Sequence, residues 1–457
     1  MKTFEIKRAL LVAVAFLSFV SSPRAHAVEV AFEHDSSLPM VYINVALKTG
    51  AVADPLDASG LTDFMGEMLL RGTKQRTKEQ IDLALDQMGA NLAVEVRSEA
   101  TILRGAVLSS QLDRFLDLLS EIVTQPSFPE REVVKLRKET TSKLLEELGN
   151  DQGLVGREFT KFLFHGHPYG NPVLGTIHGV EKITRARVVD HYGRLVIDPL
   201  LLVVGTGDAA SEKISAWADS VASRLPQSGL PSVMQKVAAP EELPFRRLLI
   251  IDKPDRTQTQ ITGGQIGVKM TDHDFFPLYL GNHAFGGGSF SARMMDQIRV
   301  KRGWSYGAYS YFKHGREPRS WQFYLFPAAK DSVNALALSV EMVQKLQKDG
   351  ITQEEYDFAK TSLVNSSGFM FNTAKKRVEN KLLERTLDLP DGFMKSYGPA
   401  LADVTLIQVN EAMKKFLHPD HLAIAVVGTA KDLKDGLIKA AGVSPEHVQV
   451  VPWNSQD

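Results

Sequence analysis

Residues 60–73, GLTDFMGEMLLRGT, place Asp63 and Glu67 four positions apart, so a helix would carry both carboxylates on one face. Carboxylates suit hard cations, although calcium and magnesium normally take more oxygen ligands than two. The same spacing is that of the histidines in H-x-x-E-H, a helical frame in which both imidazoles bind zinc. The glutamate of that frame takes a proton from the metal-bound water. Here Asp63 and Glu67 stand at the histidine positions and Gly66 at the glutamate position, so ligands and base are missing together. The competing reading is two solvated acids on a helix surface. No second H-x-x-E-H or H-E-x-x-H occurs in the chain.

A second constellation lies in the other half. Arg299 and Tyr306 are seven apart across Arg302-Gly303. Guanidinium and phenol are both donors and both can aim at a peptide carbonyl oxygen, where attack by water builds negative charge. The alternative is an exposed arginine beside Lys301 and Arg302, and a core tyrosine. Upstream, Gly286, Gly287 and Gly288 form a glycine-rich stretch, but no G-K-[ST] follows and a phosphate loop is excluded. His165 and His167 lead into Pro168, Gly170 and Pro172, which marks a turn with structural histidines more than a chelating strand. His283 stands alone on its helix.

The elements that position these residues follow from periodicity. Leu61, Phe64, Met65, Met68 and Leu69 recur at helical spacing and face a core, with Ser59 as candidate cap. A duplication accounts for the rest. The strings LLLVVGTGD and HLAIAVVGTAKD each follow a helical stretch and a proline turn (Asp198-Pro199, His418-Pro419), and their Val-Val-Gly-Thr cores are 223 positions apart. Each half also opens with two strands, a helix and a strand pair (91–108 and 304–326), followed by helical patterns at 112–123, 130–148, 333–346 and 353–387. The expected fold is α+β: two similar halves, each a mainly antiparallel sheet covered by helices on one face. The expected boundaries are 28–225 and 245–457, with a proline-rich linker at 226–244.

Composition narrows the classes further. The formal net charge of −1 argues against a nucleic-acid binder, and the absence of cysteine removes disulfides and thiolate metal sites. Residues 1–27 read as a secretory signal: Lys2, Lys7 and Arg8, an apolar run at 9–20, and Ala25-His26-Ala27 before the cut. Export to the periplasm is expected, with no membrane-spanning segment after cleavage near Ala27.

With Gly60-Leu61 and 68–73 flanking the altered frame, His167-Pro168-Tyr169-Gly170, Gly175-Thr176, and FGGGSF at 285–290 followed by Ser291-Ala292-Arg293, the chain resembles the pitrilysin/insulinase family of zinc peptidases. The likeness is to the processing-peptidase type and runs over the whole mature chain. It implies half of a clamshell, in which a homologous zinc-bearing subunit completes a heterodimer. Arg299 and Tyr306 match the family's substrate-binding pair, and Gly286–Gly288 its loop for admitting substrate. The resemblance also implies no cofactor in this chain and a peptide or unfolded-protein substrate. A third zinc-binding glutamate would lie after Pro129, with Glu139, Glu146 and Glu147 as candidates. The function expected is a non-catalytic, substrate-binding subunit. The alternatives are a structural or peptide-binding pseudopeptidase, and an independent metallopeptidase with altered ligands.

Overall fold

The structure, a computed structural model, describes residues 28–197, 200–225, 237–288 and 290–455. The expected signal segment, the Asp198-Pro199 turn and the greater part of the linker lie outside the described residues. Among the described residues no helix is long and apolar enough to cross a membrane.

Eleven strands are described: β1 (Glu29–His34), β2 (Met40–Leu47), β3 (Asn91–Val96), β4 (Thr101–Leu108), β5 (Leu201–Gly207), β6 (Arg247–Asp252), β7 (Gln260–Ile266), β8 (Ser305–Phe312), β9 (Ser320–Pro327), β10 (Ala423–Gly428) and β11 (Val448–Pro452). They form two sheets, ordered β1-β5-β2-β4-β3 and β11-β6-β10-β7-β9-β8. Without β11, the second order repeats the first strand for strand. Pairing is parallel for β1–β5, β6–β10 and β6–β11 and antiparallel elsewhere. The duplication read from the Val-Val-Gly-Thr strings is therefore a duplication of topology.

Both strings are central strands, and β5 and β10 are buried at every residue. An uninterrupted apolar strand needs cover on both faces. One cover is local: Val41, Ile43, Leu103 and Val203 pack on helices of the first half, and Leu248, Ile250, Ile424 and Val426 on helices of the second. The other cover is exchanged between halves. The first-half helix Asp151–Leu163 sets Leu154, Val155 and Phe159 against Leu249, Ile251, Ala423 and Ala425. In return, the second-half helix Ala374–Thr386 sets Val378 and Leu382 against Ala46, Leu202 and Val204. Arginine–carboxylate pairs fasten that helix: Arg104–Glu379 at 2.6 Å, Arg385–Glu29 at 2.6 Å and Arg377–Glu33 at 2.9 Å.

This exchange depends on a break that periodicity misses. The helical pattern expected over 353–387 is two helices, Gln353–Ser367 and Ala374–Thr386, joined by a short 3-10 turn. Ser366, Ser367 and Gly368 are weak helix formers, and the Thr373 hydroxyl accepts from Lys376 N to start the second helix. The chain can then turn across to the first sheet.

Candidate functional site

The altered frame is helical, Leu61–Leu69, as its apolar stripe predicts. Its cap differs from expectation. Gly60 is the N-cap, with φ +94, and Ser59 does not cap the helix. Instead Asp54 reaches back, accepting from Gly60 N at 2.7 Å and Thr62 N at 2.8 Å. A carboxylate there satisfies orphan amides and faces the positive end of the helix dipole. Thr62 Oγ1 is 2.5 Å from Asp54 and 2.8 Å from His191 Nε2, all within the core. Burial pushes Asp54 up to about 7 against those hydrogen bonds, and pulls His191 down to about 4, so the imidazole is neutral.

Asp63 and Glu67 share a face, and both are half-buried. Burial first, then the Glu67 carboxylate, push Asp63 up to about 6; Lys143 opposes the shift and Glu147 adds to it. Of the three candidate glutamates on Glu130–Gly149, Glu147 is the one that contributes to this shift, as its smallest cause, and its side chain is exposed. Glu139 instead pairs with Arg71 at 2.6 Å, and Glu146 is exposed. Gly66 is buried against the edge strand β3, where an added Cβ would meet Val94 Cγ1 at 2.8 Å and Val96 Cγ2 at 3.4 Å. Glutamate at that position would be driven into the two valines.

Arg299 and Tyr306 come together. The helical turn Met295–Val300 carries Arg299, Gly303 turns the chain at φ +67, and β8 presents Tyr306 at 73% exposure. The Arg299 guanidinium lies 4.3 Å from the Tyr306 ring centre and 4.6 Å from that of Phe290. Stacking between two rings leaves the in-plane N–H groups free. Lys301 is paired with Asp296, and Arg302 donates to Gln297 O. The Arg299 side chain has no hydrogen bond or ion pair among the described residues. Phe290 is the member of this group that sequence spacing missed; its position at the end of FGGGSF was the available signal.

The glycines are not a free loop. Gly286 and Gly287 end the helical run His283–Gly287, and Gly286 is buried against β8, where a Cβ would meet Ser310 N at 2.7 Å. Close packing, not mobility, explains glycine at 286. His167 is structural as expected: Nδ1 accepts from Tyr169 N, and Nε2 is 2.8 Å from Ala238 O. Its neighbour Tyr169 is a junction residue that the sequence did not disclose. Its hydroxyl donates to Glu99 at 2.8 Å and accepts from Glu317 N at 3.0 Å, joining the two halves.

Two family models match the chain. Residues 29–177 match "Insulinase (Peptidase family M16)" and residues 182–363 match "Peptidase M16 inactive domain", together well over half of the sequence. The chain belongs to the insulinase family. It is of the family's non-catalytic type, as its altered frame shows and as the name of one relative matches. A Helicobacter pylori protein called non-peptidase homolog YmxG is 24% identical over 88% of this chain and 92% of its own length. An uncharacterized zinc protease of Rickettsia bellii is 25% identical over 71% of this chain and 76% of its own. Among solved structures, a peptidase M16 inactive domain from Pseudomonas fluorescens superposes with a TM-score of 0.81, at 25% identity, covering 88% of this chain and 96% of that one. The periplasmic protease PqqL of Escherichia coli shares the fold with a TM-score of 0.75 at 14% identity, matching 92% of this chain but 48% of PqqL.

Zinc is the metal that insulinase-family membership implies, and these residues do not fit it. No imidazole stands at 63 or 67, and Gly66 supplies no base. Among the described residues no group of three or more His, Cys, Asp or Glu is gathered to hold a metal.

Proposed function

We propose that this chain is the substrate-binding, non-catalytic subunit of a heterodimeric zinc peptidase in the periplasm. The observation that carries the reading is Arg299, held between Phe290 and Tyr306 with its donors unclaimed, in a chain whose own zinc frame is packed with valine. Guanidinium and phenol would hold a carbonyl of an extended peptide, and would hold it more strongly as charge develops on oxygen. A zinc-bearing homologue would activate the water. That one PqqL chain is about twice the matched length supports a working unit built from two such chains. The signal-like residues 1–27, and the periplasmic description of PqqL, support the compartment.

The test mixes the purified mature chain with a zinc-bearing homologue of similar length and follows cleavage of an unfolded protein. Cleavage should appear only in the mixture, and Arg299→Ala should reduce it by at least tenfold. Unchanged cleavage with Arg299→Ala would leave the chain a structural pseudopeptidase. Metal-dependent cleavage by the chain alone would remove the reading altogether.

A further inference from the structure

A cavity of about 270 Å³ lies beside the C-terminal end of the helix Ala374–Thr386, where the β3–β4 and β8–β9 turns meet. Its wall carries Lys313, His314 and Arg319, with Arg97 (itself paired with Glu95), against one carboxylate, Glu99. Arg319 is 8% exposed, yet its side chain has no hydrogen bond or ion pair among the described residues. Its partners are ring faces, Tyr169 at 4.1 Å and Phe164 at 5.7 Å, which leave the planar N–H fork open. Glu99 acts on it electrostatically but forms no ion pair or hydrogen bond with it among the described residues; its oxygens accept instead from the Tyr169 hydroxyl and from Arg316 N at 3.0 Å.

The neighbours deepen the deficit. Lys313 has no ion pair among the described residues, and burial, with Arg319 nearby, pulls its pKa down. His314 Nδ1 is buried without a partner. Two desolvated cations that share the single carboxylate of Glu99 are undercompensated, and an anion between them would offset that cost. We propose that this cavity is a carboxylate-binding site, with Arg319 and Lys313 as its ligands.

The space is below the usual range for a drug-sized ligand and suits one carboxylate with the residue that bears it. A second cavity, about 480 Å³, lies against the same helix near its start, lined by Tyr42, Arg104, Lys375 and Glu379. The proposal does not depend on a zinc-bearing partner or on the role of Arg299.

The experiment uses the mature chain alone. A fluorescein-labelled tetra-alanine with a free C-terminus, its C-terminally amidated form, and acetate are titrated against it by anisotropy and calorimetry. The free acid should bind and amidation should weaken binding by about tenfold or more, the scale of one charge-assisted pair. Lys313→Met should produce a similar loss, which distinguishes this site from Arg299; Arg319→Gln should do so if its circular dichroism matches the parent. Binding of acetate but neither peptide would assign the site to free organic acids. Equal binding of both peptides, indifference to Lys313→Met, or no binding of any probe would overturn the proposal.

Discussion

Val94 Cγ1 stands 2.8 Å from the point where a Cβ on Gly66 would lie. The edge strand of the first sheet therefore occupies the direction in which the frame's base would project. Loss of catalytic chemistry here is a repacking of the site as well as a change of three residue types. Restoring histidines at 63 and 67 and glutamate at 66 would meet a closed wall.

Gly66→Ala measures that closure. Alanine is the better helix former by about 1 kcal/mol, while overpacking a stiff valine costs about 1–3 kcal/mol. The expected net is a loss of about 1 kcal/mol in urea unfolding, recovered when Val94→Ala is added. A Gly66→Ala chain as stable as the parent would mean the strand yields freely.

Asp63 makes stability depend on pH. Its folded value of about 6 lies above the ordinary 3.8, so between those values the folded chain keeps a proton that the unfolded chain has released. This group's contribution to stability falls as pH rises through that window, and the full penalty applies above about 6. After discounting for partial solvent screening, Asp63→Asn should gain about 1 kcal/mol at neutral pH. Thermal melts should show the gain shrinking toward zero by about pH 4. An equal gain at both pH values would refute the assignment.

Tyr306 separates function from folding. At 73% exposure its hydroxyl supports nothing in the core, so Tyr306→Phe should shift stability by less than about 0.5 kcal/mol. On the proposed reading the same change should lower cleavage by the two-chain mixture about tenfold, the scale of one transition-state donor. A large fall in melting temperature would mark the hydroxyl as structural.

Tyr169 should behave oppositely. Tyr169→Phe takes a donor from buried Glu99 and an acceptor from Glu317 N, at the junction of the halves. A loss of about 1–3 kcal/mol is expected. Chemical denaturation, followed separately for each half by tryptophan placement, would show whether the halves uncouple; an unchanged midpoint would dismiss the contact.

Much of the architecture was legible because it is written in local patterns. The stripe from Leu61 to Leu69 specifies a helix wherever it lies, and the apolar runs of β5 and β10 specify central strands. The cap was not legible, since Asp54 is six residues from Gly60 and reaches it only through a fold of the intervening chain. The single helix expected over 353–387 failed for a similar reason. Its break at Gly368 to Thr373 is weak by propensity and decisive by where the second segment docks.

The residue types alone determined that this chain brings no zinc histidines and no base to positions 63, 66 and 67, because ligand chemistry belongs to the side chain itself. They also determined that the fold is duplicated, because each half repeats the same order of short-range patterns. Only the tertiary structure decided that valine fills the base's place and that Glu139 pairs with Arg71. It alone left the Arg299 and Arg319 side chains stacked on rings with no hydrogen bond or ion pair among the described residues, while Arg302 and Arg316 found theirs. Those outcomes depend on which groups approach from far along the chain. Burial and pairing are properties of that approach, and no periodicity carries them.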